Sequence, residues 1–167
     1  MSDLPALLTE FAAGRVALLE RHEASARAVS HYDFNNTYQY VINREETHLS
    51  WLQNALAEYK AVVPPAGVSA LAVPAAPKTG KKVEASAFRS ILDEDAGSLG
   101  AFVEKWRPRV DDVMHARHRN MLNVILGESL EHKRLFEQAA AGMEDLLGRR
   151  TGGVERVGGV LPTRWLE

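Results

Sequence analysis

Two short stretches carry residues that could do chemistry: Arg44-Glu45-Glu46-Thr47-His48-Leu49 and Gly127-Glu128-Ser129-Leu130-Glu131-His132. In the first, Glu45 interrupts an apolar face made by Tyr38, Ile42, Leu49 and Leu52, and His48 follows one turn later on nearly the same side. A carboxylate buried without a partner costs several kcal/mol or becomes neutral, so this placement demands compensation. A divalent metal supplies it directly, and Glu-x-x-His lets one helix offer an oxygen and an imidazole to the same ion. In the second stretch Glu128 and His132 share a row with Ile125 and Leu135, with Glu131 on its flank. Two helices carrying the same anomaly are harder to ascribe to chance than one.

Elements must hold these residues in place, and the periodicity predicts an all-α chain. A first helix spans Leu4 to Val29, with Leu8, Phe11, Val16, Leu19 and Ala26 inward. The stretch His31 to Asn36 breaks it, and Asn35 or Asn36 can cap a second helix from Thr37 to Lys60. A third is expected from Glu84 to Trp106, with a break at Pro108. The fourth runs from Asp111 or Asp112 to Leu147, with Met114, Met121, Ile125, Leu135 and Ala139 inward and Gly148 as its stop. Residues 61–83, rich in Ala, Val, Pro and Gly, read as an extended connector long enough to run the length of a bundle. Residues 1–148 then form one bundle, and 149–167 an extended C-terminal tail that docks on the bundle or on a neighbouring subunit.

The other two helices would complete a site. Across a hairpin turning near Tyr32 and Asp33, facing residue numbers add to about 65, so Glu20 lies level with Glu45 and is preferred to Glu23. The third helix offers Asp95, in the row of Leu92 and Leu99, ahead of Glu94. His22, His31, His115 and His118 read as surface or cap residues, and Arg15, Arg27, Arg107 and Arg109 as solvated or ion-pairing charges.

Composition narrows the chemistry. The 20 Lys+Arg against 22 Asp+Glu in 167 residues leave a net charge of -2, with no broad attraction to nucleic acid or to an acidic membrane. No Cys is present, so any metal must sit on oxygen and imidazole. The N-terminus lacks a signal-peptide pattern, and four prolines interrupt the most apolar stretch, Ala61 to Pro77. Cytoplasmic location is the expectation.

With Glu45-x-x-His48 and Glu128-Ser129-Leu130-Glu131-His132 on two helices separated by a crossover, the chain resembles the ferritin-like superfamily that includes bacterioferritins and rubrerythrins. The resemblance covers roughly residues 4–147 and implies a four-helix bundle with a long crossover between helices 2 and 3. It implies metal ligands Glu20, Glu45, His48, Asp95, Glu128 and His132, with Glu23, Glu94 and Glu131 as second choices. Glu45 or Glu128 would bridge a di-iron centre, with His48 and His132 terminal; manganese or zinc are the other metals such ligands suit. Dioxygen or peroxide would be the reactant, in an oxidoreductase of ferroxidase or peroxidase type. The chain departs from the family pattern in having Glu131 where the second histidine belongs and His132 next to it. The competing readings are a non-catalytic structural or interaction bundle, with Arg44 and Arg134 pairing the buried acids, and a DinB-like metal bundle built on a histidine triad. An apolar tail with Trp165 suggests a homodimer.

Overall fold

Pro5 sits in the first turn of α1, Leu4–Ala28, where its missing N–H is no loss. A computed structural model describes residues 3–67 and 84–149, so most of the expected connector and all but the first residue of the expected tail lie outside the described residues. After α1 come α2, Tyr32–Ala57; a 3-10 turn, Ala85–Phe88; α3, Arg89–Asp111; α4, Ala116–Ala140; and the short α5, Leu146–Arg149. The described chain is all-helical, and none of its helices is long and apolar enough to cross a membrane.

Several ends differ from expectation, each for a local reason. The break after α1 is shorter than His31 to Asn36, because His31 itself caps α2, its Nδ1 accepting from the Phe34 N–H while its ring stacks on Phe34. Asn35 serves the opposite end, donating to the Ala26 and Val29 carbonyls where α1 finishes. α3 continues through Pro108 to Asp111, since so close to the helix end the proline forfeits a single ladder bond. α4 begins after His115 and stops at Ala140, where Gly142 takes φ +89° and the Met143 and Gly142 amides bond back to Gln138 and Ala139. Met114, expected inward, is exposed in the α3–α4 turn.

α1 packs chiefly on α2 and α3 chiefly on α4, while α1 also meets α3 and α2 meets α4. The ion pairs Glu10–Arg109 and Arg21–Asp95 make α1 and α3 antiparallel, as Glu58–Arg117 and Arg44–Glu128 do for α2 and α4. The inward rows step by three and four residues. On α2 the row is Phe34, Tyr38, Val41, Glu45, His48, Leu52 and Leu56, and on α1 it is Leu8, Phe11, Arg15, Leu18, His22 and Ala26. Both rows are apolar at their ends and polar in the middle.

Phe11, Phe102 and Trp106 fill one end, with Phe11 set edge-on to the other two rings at 5.1 and 5.0 Å. Each such buried side chain contributes about 1.5–3 kcal/mol. Gly14 lets α1 approach α3 here, since a Cβ at that position would lie 2.9 Å from Phe102 Cε2. Gly14→Val should therefore overpack this end and cost about 1–3 kcal/mol, read as a lower urea midpoint with an unchanged denaturant slope; a midpoint at or above wild type would show that the contact can yield.

Candidate functional site

Midway along α1, the guanidinium of Arg15 lies wholly buried between three helices. Its NH1 donates to Ser129 Oγ on α4 at 2.8 Å, and its NH2 reaches His48 Nδ1 at 3.1 Å and Glu45 Oε2 at 3.4 Å on α2. Glu45, also fully buried, is bonded through Oε1 to Nδ1 of buried His22. His48 Nε2 meets Glu128 Oε2 at 2.5 Å, and Arg44 grips the same carboxylate from outside through Nε and NH2 at 3.1 and 2.8 Å. His132 stacks on His48 with ring centroids 6.2 Å apart. Together these side chains make a polar layer across an apolar interior.

The hydrogen bonds fix the state of His48. Arg15 can only donate, so Nδ1 of His48 accepts, and its Nε2–H donates to Glu128; the ring is neutral. Burial pushes its pKa down, and the Arg15 charge beside it adds to this, leaving it at about 4. His132 is lowered to about 3, again by burial first. Burial raises the Glu45 carboxyl, but His22 and Arg15 outweigh it and hold the group below its ordinary value. For Glu128 burial is outweighed in the same way, by Arg44 and His48.

A second buried pair lies nearby. Arg21 Nε donates to Asp95 Oδ1 at 2.5 Å, its NH2 donates to Glu94 at 3.2 Å, and the Tyr38 hydroxyl donates to Asp95 Oδ2 at 2.5 Å. Burial, with the Asp95 charge added, pushes the Tyr38 phenol up, so it stays protonated and keeps donating.

Of the six first-choice ligands, Glu45, His48 and His132 share the central layer, with Glu128 at its edge. Asp95 is buried as expected, but in the grip of Arg21 and Tyr38. Glu20 does not face inward. The hairpin level is right, since Arg15 meets His48 and His22 meets Glu45, but Glu20 falls between Leu18 and His22, about 200° round from each. Glu23 and Glu131 are half-buried, and Glu94 is half-exposed beside Arg21. Arg134 is exposed, leaving Arg44 as the arginine that pairs Glu128.

His22 and His118, expected at the surface or at caps, are buried, the latter with its ring tilted against that of His115 and its Nδ1 2.9 Å from the other's; Arg15, expected to be solvated or ion-pairing, is ion-paired to Glu45 and wholly buried. Their signal was present. Continuing the α1 row from Leu8 and Phe11 by steps of four, three and four lands on Arg15, Leu18 and His22, whereas Val16 and Leu19 occupy its half-buried flank.

The residues present do not fit a di-iron centre. One of the four helices, α1, supplies no carboxylate to the layer, Asp95 is committed to Arg21, and a guanidinium stands among the remaining ligands. Among the described residues no three His, Asp or Glu side chains converge to hold a metal ion. Charge is already balanced, with Arg15 and Arg44 opposite Glu45 and Glu128. Polar atoms are left over nonetheless: both ring nitrogens of His132 and Nε2 of His22 are buried without a hydrogen-bond partner.

This layer predicts acid sensitivity of a definite sign. Unfolded, His48 and His132 take up protons near pH 6.5; folded, they resist to about 4 and about 3. The unfolded state therefore binds more protons between those limits, and stability falls as pH drops below about 6.5. Glu45 and Glu128 add a further loss as pH falls through 4.5. His132→Phe should flatten the upper part of this fall, so that urea midpoints at pH 5 and pH 7 lie closer together than in wild type; an unchanged difference would remove His132 as a source. No family model, curated protein or solved structure matches the chain.

Proposed function

We propose that the four long helices close into one four-helix bundle of ferritin-like topology, with the connector 61–83 as its crossover, and that the bundle is a structural or interaction module rather than a metal enzyme. Support for the topology comes from the antiparallel pairings, which put the end of α2 and the start of α3 at opposite ends of the helices. The observation that carries the functional part is the burial of Arg15 against Glu45: the positive charge that a ferritin-like interior takes from metal comes here from a side chain. Removing one partner of such a pair strands the other in a dry interior, at a cost of about 3–5 kcal/mol.

A second reading is favoured by one observation. His22, His48 and His132 are three buried imidazoles, and His132 has neither nitrogen engaged. An unengaged imidazole can take a metal ion, so His132 is where a single ion would attach in a DinB-like metal bundle, while no three His, Asp or Glu side chains among the described residues converge on one point. Iron or manganese bound there would supply reactivity toward dioxygen or peroxide.

Elemental analysis separates the two. Protein purified without chelators or nickel resin should carry iron, manganese and zinc well below one equivalent, its Tm should be unmoved by EDTA, and added iron(II) should oxidise at the buffer rate. Glu45→Ala should cost about 3–5 kcal/mol by leaving Arg15 buried and unpaired. Stoichiometric metal that disappears in His132→Phe would transfer the conclusion to the second reading.

A further inference from the structure

We infer that the segment 160–166 of this chain packs back onto the bundle, seating Trp165 in an apolar cavity at the end where α1 begins and α3 turns into α4. A tail resting on the bundle or on a neighbouring subunit is the sequence expectation; the cavity gives it one place and one anchor.

The cavity measures about 250 Å3 and has Leu4, Leu7, Val113 and Met114 among its lining residues. That is below the roughly 300–1,000 Å3 of pockets that take small organic ligands, and its scale is that of one bulky side chain. Met114 on its rim is 86% exposed, and its unbranched thioether adapts to whatever packs there. The rim also selects for charge. α3 ends on Asp111 with Asp112 as its C-cap, and two carboxylates at a helix C-terminus oppose its dipole. The basic residue of that last turn, Arg109, is already bonded to Glu10 on α1. A further cation is therefore favoured beside Asp112, which lines the cavity, and Arg164 directly precedes Trp165. Val160, Leu161 and Leu166 add apolar surface on either side of that pair. The chain is long enough to get there. α5 packs on α2 and α4 at the end where α2 starts, with Glu144 just before it paired to His31, so α5 finishes at the opposite end from the cavity. α4 spans about 38 Å between those ends. The 16 residues that follow Arg149, up to Trp165, reach about 53 Å when extended.

The chain has no Cys, so disulfide trapping in the full chain reads this contact directly. Met114 and Tyr32 are both exposed, so a cysteine at either position leaves the core untouched. Met114→Cys with Leu166→Cys should close a bridge within one chain under oxidised glutathione, at least roughly tenfold faster than Tyr32→Cys with Leu166→Cys. An undocked tail gives the reverse order, because Tyr32 lies at the end where the tail starts and a free coil of 16 residues spans only about 20–24 Å. Adding Trp165→Ala to the first pair should abolish the preference, while Trp165→Phe, which keeps an aromatic anchor, should retain most of it. Equal rates from the two positions, or a preference that survives Trp165→Ala, would overturn the inference. A bridge formed between two chains, seen as a dimer on a non-reducing gel, would assign the cavity to a second copy and overturn it equally.

Discussion

A guanidinium with no exposed surface, carried by the middle of α1, is the constraint on which the rest of this structure depends. Taking that charge out of water is expensive, and the cost is recovered only where acceptors wait at the right level. Three are in place: Glu45 and His48 from α2 and Ser129 from α4, whose own hydroxyl donates onward to the Ile125 carbonyl. Burial lowers the pKa of Arg15 while Glu45 and Glu128 raise it, yet an arginine starts so high that the group stays charged. Six residues further along α1, Arg21 repeats the device toward α3 through Asp95, and Tyr38 brings α2 to the same carboxylate. Two arginines on one helix therefore reach all three of the others.

Such ties do what apolar rows cannot. Rows of Leu, Phe and Val repeating every three or four residues pack almost as well after a slip of one turn, since hydrophobic contact is non-directional. A slip of α1 against α2 would move Arg15 away from Glu45 and His22 with it, leaving charged groups facing hydrocarbon. The polar layer thus selects one register, flanked by aromatic rings on both sides: Phe11, Phe102 and Trp106 toward one end, Tyr38 and Phe136 toward the other.

Much of this was legible in the sequence, and the parts that were not share a cause. Glu45 and His48 stand out because they replace apolar residues in a row that is otherwise unmistakable, and hairpin geometry sets the correct level on α1 for their partners. The face of α1 is harder to read because that helix is rich in Ala and Leu all round, so a row through Val16 and Leu19 looks as apolar as the true one through Leu18. An arginine on an inner row is normally read as solvated, and only its partner across the interface reveals otherwise. The helix ends escape a sequence reading for a different reason. α2 is capped by His31 in place of the usual Asn, Asp or Ser, α4 starts after His115 with no side-chain cap, and a proline inside α3 lies too near the end to break it.

The leftover groups show how far the layer's logic extends. Each polar residue in an inner row must be answered by another at its level on a neighbouring helix: Arg15 by Glu45 and Ser129, His22 by Glu45, His48 by Arg15 and Glu128, Asp95 by Arg21 and Tyr38. His132 breaks the rule, since its neighbours are the face of His48 and the ring of Tyr40, and neither accepts or donates in its plane. An unmade bond of this kind costs about 1–3 kcal/mol, which Leu or Phe at the same position would avoid. The chain thus keeps an imidazole where packing alone favours hydrocarbon. The layer is electrically closed by its arginines and chemically open at His132 and at Nε2 of His22, and any ligand chemistry in this interior has to begin at those nitrogens.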